Sequence, residues 1–466
     1  MNNIVRNTIL LGVSEIFSKG ITALAIILLV RKLSPEGFGI YSLAMTLTYY
    51  FVGFLHSGFY TIGMREVSKF PDSVSHYVKN IIILKTIFGI VSYALLTIVV
   101  ILLDKPPEVK SAYLIAGLFL FILVFHIDWV FRGLEKMEYP AIGSIMQGIA
   151  LLVFIYLFVH SHDDYKVAIL SYLFSWLIMI VFLNIVYFKN FGLFSLDFEF
   201  NTLKEILKLS LPISISSVLI VIYANVNIII LNIFKGDYET GIYSAMIRLM
   251  NVLLLPNGIL QMAFFPELSR SVLDGNFNAT QRKYLLVDFI IAFFLVFGMF
   301  GFSEKAISLI FGQKYLVGVS IFQISLVSCI LSYFTASLTA ATYALNRQTH
   351  FLKSSIVGSI VSITLNLLLI PRYGAIGAII SLVITEASVF LSLAFFNRKL
   401  KIMHTYAEVT KPFFVGIISI LLAKVIEIFS NSYIGVLIYL ILFWTIAFLS
   451  KLITIEQLKK IFSFRF

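Results

Sequence analysis

Long apolar stretches broken by short polar loops run the length of this chain. A stretch of about 18 or more apolar residues reads as a membrane-spanning helix, because backbone groups without partners cannot sit in lipid. Such stretches fall at approximately 7–30, 37–60, 78–103, 109–131, 138–160, 166–188 and 210–234. They continue at approximately 240–263, 283–303, 316–341, 350–370, 374–397, 409–429 and 432–452. The pattern predicts an all-α polytopic membrane protein with about 14 spans. No stretch reads as a soluble domain. The longest non-spanning segments lie around 61–77, 189–209 and 264–282.

Composition removes the alternative of a water-soluble globule. Hydrophobic residues make up 60% and charged residues 13% of the 466, where a soluble protein carries about 25% charged residues. The net charge of +11 would suggest nucleic-acid binding in a soluble chain. Here it is explained by orientation. With the N-terminus in the cytoplasm, 22 of the 35 Lys and Arg fall on the inner side, as the bias of cytoplasmic loops requires. The expectation is a membrane protein with both termini cytoplasmic and no nucleic-acid partner. The run from Asn7 to Val30 is too long for a signal core and holds Glu15 and Lys19. Cys329 is the only cysteine, so there is no internal disulfide and no cysteine metal site.

The segment Asn201 to Ser210 (NTLKEILKLS) sets Leu203, Ile206 and Leu207 on one side and Lys204, Glu205 and Lys208 around the other. It predicts an amphipathic helix on the inner membrane surface, joining two halves of the protein. Internal repetition supports that division. Gly39-Ile40-Tyr41-Ser42 opens the second span and Gly241-Ile242-Tyr243-Ser244 opens the eighth. Glu66-Val67-Ser68 and Glu267-Leu268-Ser269 follow the same two spans. The predicted organisation is an N-lobe over 1–190, a connector over 191–209, a C-lobe over 210–400, and two further helices with a tail over 401–466. Six helices per repeat keep the same orientation, so the repeats are related by an axis along the membrane normal.

No phosphate loop, nucleophile elbow or zinc-protease motif occurs. His160-Ser161-His162-Asp163-Asp164 reads as a hydrated turn and Gly374-Ala375-Ile376-Gly377-Ala378 as a site of close helix packing. The outer loops are too short for a membrane glycosyltransferase or polymerase, and an enzyme is not expected. Candidate chemistry therefore rests on polar groups inside spans, where an ionisable residue costs several kcal/mol unless it meets a partner or a wet cavity. Lys19 lies ~18 Å into the first helix. It either pairs with Glu15, one turn away, or faces a cavity and attracts an anion. Arg248 lies ~12 Å into the eighth helix without an acidic residue one turn away; its planar fork suits phosphate oxygens. Lys85 either snorkels to the cytoplasmic side or joins them. Lys424 and Glu427 read as a snorkelling pair. Glu15, Asn227, Asn366, Asp128 and Glu386 are further cavity or ion-coupling candidates, with Asn225, Asp288, Gln147 and His56 completing the polar inventory. Glu386 is either a proton or cation site or a hydrogen-bonding partner of a neighbouring helix. One deep cation per repeat, Lys19 and Arg248, is the feature with most weight: two such groups could clamp a polyanion and repel a cationic drug.

At these residues the sequence resembles the polysaccharide/oligosaccharide flippase family, which moves lipid-linked O-antigen or capsule repeat units. That family belongs to the multidrug/oligosaccharidyl-lipid/polysaccharide exporter superfamily. The resemblance is carried by Arg31 to Ser42 (RKLSPEGFGIYS), Met64 to Val67 (MREV) and Trp129 to Lys136 (WVFRGLEK). Leu209 to Pro212 (LSLP), Gly241 to Ala245 (GIYSA) with Arg248, Phe265 to Ser269 (FPELS) and Asn366 to Ala378 (NLLLIPRYGAIGA) complete it. It implies a MATE-like fold of two six-helix lobes, a cationic central cavity and alternating access. The implied substrates are oligosaccharide repeat units on polyprenyl pyrophosphate. Lys19 and Arg248 match the basic residues that relatives need in their first and eighth helices. The family often carries Asp where this chain has Asn227, an amide that can offer Na⁺ an oxygen but cannot titrate a proton. No cofactor is implied beyond Na⁺ or H⁺ gradient coupling; membrane lipid and a polysaccharide polymerase machinery are the further partners. The alternatives are a multidrug/cation antiporter and a peptidoglycan-precursor flippase of the same superfamily.

Overall fold

The computed structural model describes residues 2–192, 199–398, 410–429, 432–450 and 452. Among them every regular element is helical. The main helices are α1 (Asn2–Lys32), α2 (Pro35–Lys69), α3 (Pro71–Leu102), α4 (Pro107–Gly133), α5 (Glu138–Phe158) and α6 (Tyr165–Phe191). Then follow α7 (200–235), α8 (237–273), α9 (Phe277–Gly301), α10 (Gln313–Ala344), α11 (348–373), α12 (375–396), α13 (Thr410–Phe429) and α14 (Ser432–Leu449). Gly236 and Gly374, with φ of 81° and 57°, turn the chain between α7 and α8 and between α11 and α12. That left-handed conformation is one glycine adopts without a Cβ penalty. Nine stretches of the described residues are long and apolar enough to cross a membrane.

The chain divides into two compact units, one of 1–245 with 366–375 and one of 246–365 with 376–466. In the first, α1 lies along α5. The Ser18 hydroxyl donates to the Ser144 carbonyl at 2.8 Å. At the far end the Lys32 ammonium donates to the carbonyls of Ile155, Tyr156 and Val159 at 3.0, 2.7 and 2.6 Å. Those carbonyls close the C-terminal turn of α5, where Ile155 also accepts from the Val159 N–H at 3.3 Å, the last helical acceptors run out of intrahelical donors and a cation is favoured. The Ser34 hydroxyl caps α2 by accepting from the Gly37 N–H at 3.0 Å, with Pro35 in the first turn. The His160–Asp164 turn seals this end: the Asp164 carboxylate accepts from His160 and Ser161 N–H, and the His162 carbonyl accepts from Ser34 N–H at 2.9 Å.

The repeated glycines meet each other. A Cβ on Gly39 would lie 2.7 Å from the Asp237 carbonyl carbon and 3.0 Å from Gly241 N; one on Gly241 would lie 2.7 Å from the Pro35 carbonyl carbon and 2.9 Å from Gly39 N. The contact is reciprocal within the first unit, each glycine standing against the backbone beside the other. Around it Lys105 pairs with Asp237 at 2.8 Å, and Asn232 donates to the other Asp237 oxygen at 2.8 Å.

The connector differs from expectation. Residues 201–210 are not a separate surface helix but the first turns of α7. Ile206 is buried in a core with Phe59, Val78, Trp129 and Tyr187, with Leu203 and Leu207 packed beside it. The apolar stripe that suggested a lipid-facing helix is covered by protein, and Gly58 lets α2 approach the Ser210 carbonyl closely. The compact units part between Ala245 and Met246, and again on either side of 366–375. In the second unit α13 and α14 pack on α9. The Tyr439 hydroxyl donates to the Phe294 carbonyl at 2.6 Å, within a core that includes Ile290, Val415 and Phe443.

Candidate functional site

Lys19 is placed by its neighbour. Ser18 is buried against α5, so Lys19, roughly 100° further round the helix, is exposed on the first unit. The side chain of Glu15 lies outside the described residues. Arg248 belongs to the second unit. Met246, Leu249 and Met250 are buried while Arg248 is exposed, and it makes no hydrogen bond or ion pair among the described residues. Lys424 pairs with Glu427 at 2.7 Å, and Lys305 approaches the same carboxylate at 3.8 Å.

Lys85 departs from both of its expected roles. It is fully buried and donates to the carbonyls of Leu123 and His126 at 3.5 and 3.1 Å. The His126 carbonyl is available because α4 is broken, helical hydrogen bonding stopping at Phe125 and resuming at Asp128, while the Leu123 carbonyl also accepts from the His126 N–H at 3.2 Å. The Phe125 carbonyl, freed by the same break, accepts from the Asn184 amide at 2.9 Å. A buried lysine is thus satisfied by backbone that a regular helix would have kept for itself. It neither snorkels nor stands open to a diphosphate.

Asp128 begins the second part of α4 and is buried. One carboxylate oxygen accepts from Arg132 Nε at 3.2 Å and from the Tyr60 hydroxyl at 3.4 Å. The other stands 3.4 Å from His126 Nε2. His126 stacks on His56 with ring centroids 5.3 Å apart, and the edge of Trp176 closes the group at 5.4 Å. His56 lies in a π-helical turn of α2, Gly53–Ser57, an irregularity frequent at functional sites. His56 Nδ1 and both His126 ring nitrogens are buried without a hydrogen bond among the described residues. Each such group costs about 1–3 kcal/mol. The structure therefore joins two helical irregularities through a polar cluster whose satisfaction is incomplete. Sequence reasoning singled out His56, Lys85 and Asp128 separately and missed His126, Arg132 and Trp176. The i,i+4 spacing of Asp128 and Arg132 was the available signal.

The remaining candidates are engaged apart from this cluster. The Asn227 amide donates to the Tyr243 hydroxyl and its oxygen accepts from Ile228 N–H at 2.9 Å. Asn366 is buried on α11. Glu386 is half-buried and bonded to Ser332. Asp288 is fully buried and takes both its hydrogen bonds from the Asn257 amide, at 3.1 and 3.0 Å. Near Gly374 the Glu239 carboxylate accepts from Ala375 N–H at 2.8 Å, an acid at the start of α12.

Known proteins share this architecture. The lipid II flippase MurJ in an inward closed conformation superposes with a TM-score of 0.73 at 17% identity, over 93% of this chain and 98% of that one. An inward-facing multidrug resistance MATE transporter of the MOP superfamily gives 0.59 at 17% identity, over 82% and 95%. Among relatives by sequence, a protein of Escherichia coli K12 provisionally named an O-antigen transporter is 25% identical, over 85% of this chain and 97% of its own. The capsular polysaccharide biosynthesis protein CapF of Staphylococcus aureus is 22% identical, over 85% and 100%. The fold is thus MATE-like and MurJ-like, and the chain is a multi-span membrane protein. The model of the polysaccharide biosynthesis protein family matches residues 4–272, more than half of the sequence, and the chain belongs to that family.

Proposed function

We infer that this protein is a flippase. It carries oligosaccharide repeat units on polyprenyl pyrophosphate from the inner to the outer leaflet of a prokaryotic plasma membrane by alternating access. The observation that carries the reading is Arg248: a guanidinium in a membrane helix, exposed and without a partner among the described residues. Arginine keeps its charge in proteins and is not stable against acyl chains, so its environment in the membrane has to supply water or an anion. Lys19 is the second diphosphate ligand in this proposal. Both residues replace hydration that the diphosphate loses, while the polyprenyl tail stays in lipid. Family membership in polysaccharide biosynthesis and the names of the relatives, one provisionally an O-antigen transporter and one a capsular polysaccharide biosynthesis protein, support the substrate class.

The test is a deletion strain. Loss of surface polysaccharide with polyprenyl-linked repeat unit accumulating on the inner leaflet supports the flippase. Unchanged glycan with new drug sensitivity refutes it in favour of a multidrug antiporter, and accumulation of peptidoglycan precursor favours that cargo instead. Lys19→Ala and Arg248→Ala, returned to the strain at normal expression, should each abolish export; full activity in both removes the site assignment.

A further inference from the structure

The buried cluster of the first unit has no task in that transport chemistry. Among its described groups are His56 and Tyr60 on α2, Lys85 on α3, His126, Asp128 and Arg132 on α4, and the Trp176 ring on α6. A metal ion has little to gain there. Lys85 already fills the carbonyl acceptors of the α4 break as a tethered cation, and Arg132 takes one oxygen of Asp128. Two imidazoles remain. His is the side chain that ordinarily changes charge between about pH 5 and about pH 8, and this pair has buried ring nitrogens without hydrogen bonds among the described residues.

We propose that the His56–His126 pair is a proton-binding site whose occupancy sets the packing of α2 against α4. One carboxylate faces two fixed cations in the cluster. A proton taken from water onto an imidazole nitrogen adds a further positive charge next to Lys85 and Arg132. With little solvent to screen them, like charges at this range repel strongly. Separating the π-turn of α2 from the break of α4 relieves that repulsion and lets water reach the imidazolium. The packed arrangement is the proton-free form, and acid favours the separated one. The two irregular stretches suit the movement, since neither is held by an unbroken helical ladder. A proton bound more tightly by one conformation than by the other shifts their populations by that difference. Assigning this proton to the export cycle rests on the flippase reading. The binding step does not, and it is measured without any glycolipid.

The experiment uses the full chain in nanodiscs. Of the three tryptophans, Trp129 and Trp444 are replaced by Phe, leaving Trp176 beside His126 as the reporter. Imidazolium quenches indole, so Trp176 emission should fall only as the pH drops below the ordinary imidazole midpoint of about 6.5, and the fall should vanish in His126→Gln. His162→Gln, in the turn before α6, should keep it. A second readout uses spin labels at Thr61→Cys on α2 and Phe125→Cys on α4 in a Cys329→Ala background; their separation should lengthen on acidification. If His126→Gln aggregates, His56→Gln carries the same comparison. Emission and distance that ignore pH, or that respond equally in the Gln variants, overturn the proposal. A pH response lost in the Gln variants with glycan export unaffected keeps the site and removes only its place in the cycle.

Discussion

Gly241→Ala isolates the contact between the two repeats from everything else in the fold. A methyl group there would sit 2.7 Å from the Pro35 carbonyl carbon and 2.9 Å from Gly39 N. Ordinary contact begins at 3.4 Å, and the Pro35 carbonyl oxygen stands nearer than its carbon, so the backbones must part by well over the 0.7 Å between 3.4 and 2.7 Å. The obstructing atoms are main chain, which cannot swing aside as a side chain can. Overpacking of this kind costs about 1–3 kcal/mol, and rigid backbone on both sides places the cost near the upper end. Gly39→Ala pushes on Asp237 and should cost a similar amount. Because either methyl opens the same seam, the double variant should lose about as much as one single variant, the non-additivity expected of residues in direct contact.

Thermal unfolding in detergent, followed by fluorescence-detected size exclusion, reads the effect. Gly258→Ala is the control: it lies in the same helix, α8, with open space around its Cβ position. It should be neutral or stabilising by up to about 1 kcal/mol, because alanine is the better helix former. An unfolding midpoint for Gly241→Ala equal to that of Gly258→Ala would refute the backbone contact. A double variant that loses the full sum of the two singles would show two separate sites.

Other perturbations follow from the same geometry. Gly374→Ala combines a left-handed φ of 57° with the Glu239 carboxylate packed where its Cβ would go. It should destabilise by more than the ~1–2 kcal/mol of backbone strain alone, and Glu239→Ala in the same chain should recover the steric part less the hydrogen bond that the carboxylate accepts from Ala375 N–H. Lys85→Met removes an ammonium from two carbonyls inside the protein, a loss of about 2 kcal/mol or more. Hydrogen exchange in 123–128 should then rise, and unchanged protection there would refute the capping role. Lys32→Met removes the ammonium shared by three carbonyls at the end of α5, of which Ile155 keeps a backbone N–H from Val159, and should speed exchange in 156–164 while sparing the opposite end of that helix. Restored export in Arg248→Lys, against none in Arg248→Ala, would show that charge alone suffices; failure of both supports a requirement for the planar fork.

The membrane fold was legible because lipid leaves a chain few choices. Spans read from apolar length correspond to helices in the structure, and the breaks fall at Gly236 and Gly374, which carry positive φ. Repetition of Gly39 to Ser42 at Gly241 to Ser244 signalled symmetry; that the two copies touch was hidden, since a sequence shows a small residue and not what approaches it. The amphipathic stripe of 201–210 was real, but the pattern cannot distinguish lipid from a protein core as its cover. The break in α4 left still less trace. Phe119 to Val124 (FLFILV) continues to Phe125 with neither glycine nor proline to mark an end, and Lys85, the group that stabilises the opened backbone, stands 38 residues from Leu123 and 41 from His126. A lysine in a span reads as a ligand for something foreign when its partner in the chain is a carbonyl, because backbone carries no signature in the sequence. The same reasoning limits what Lys19 and Arg248 show by residue type alone. Arg248 retains its standing for a structural reason: Lys85 is buried with acceptors around it, whereas Arg248 is exposed with none among the described residues.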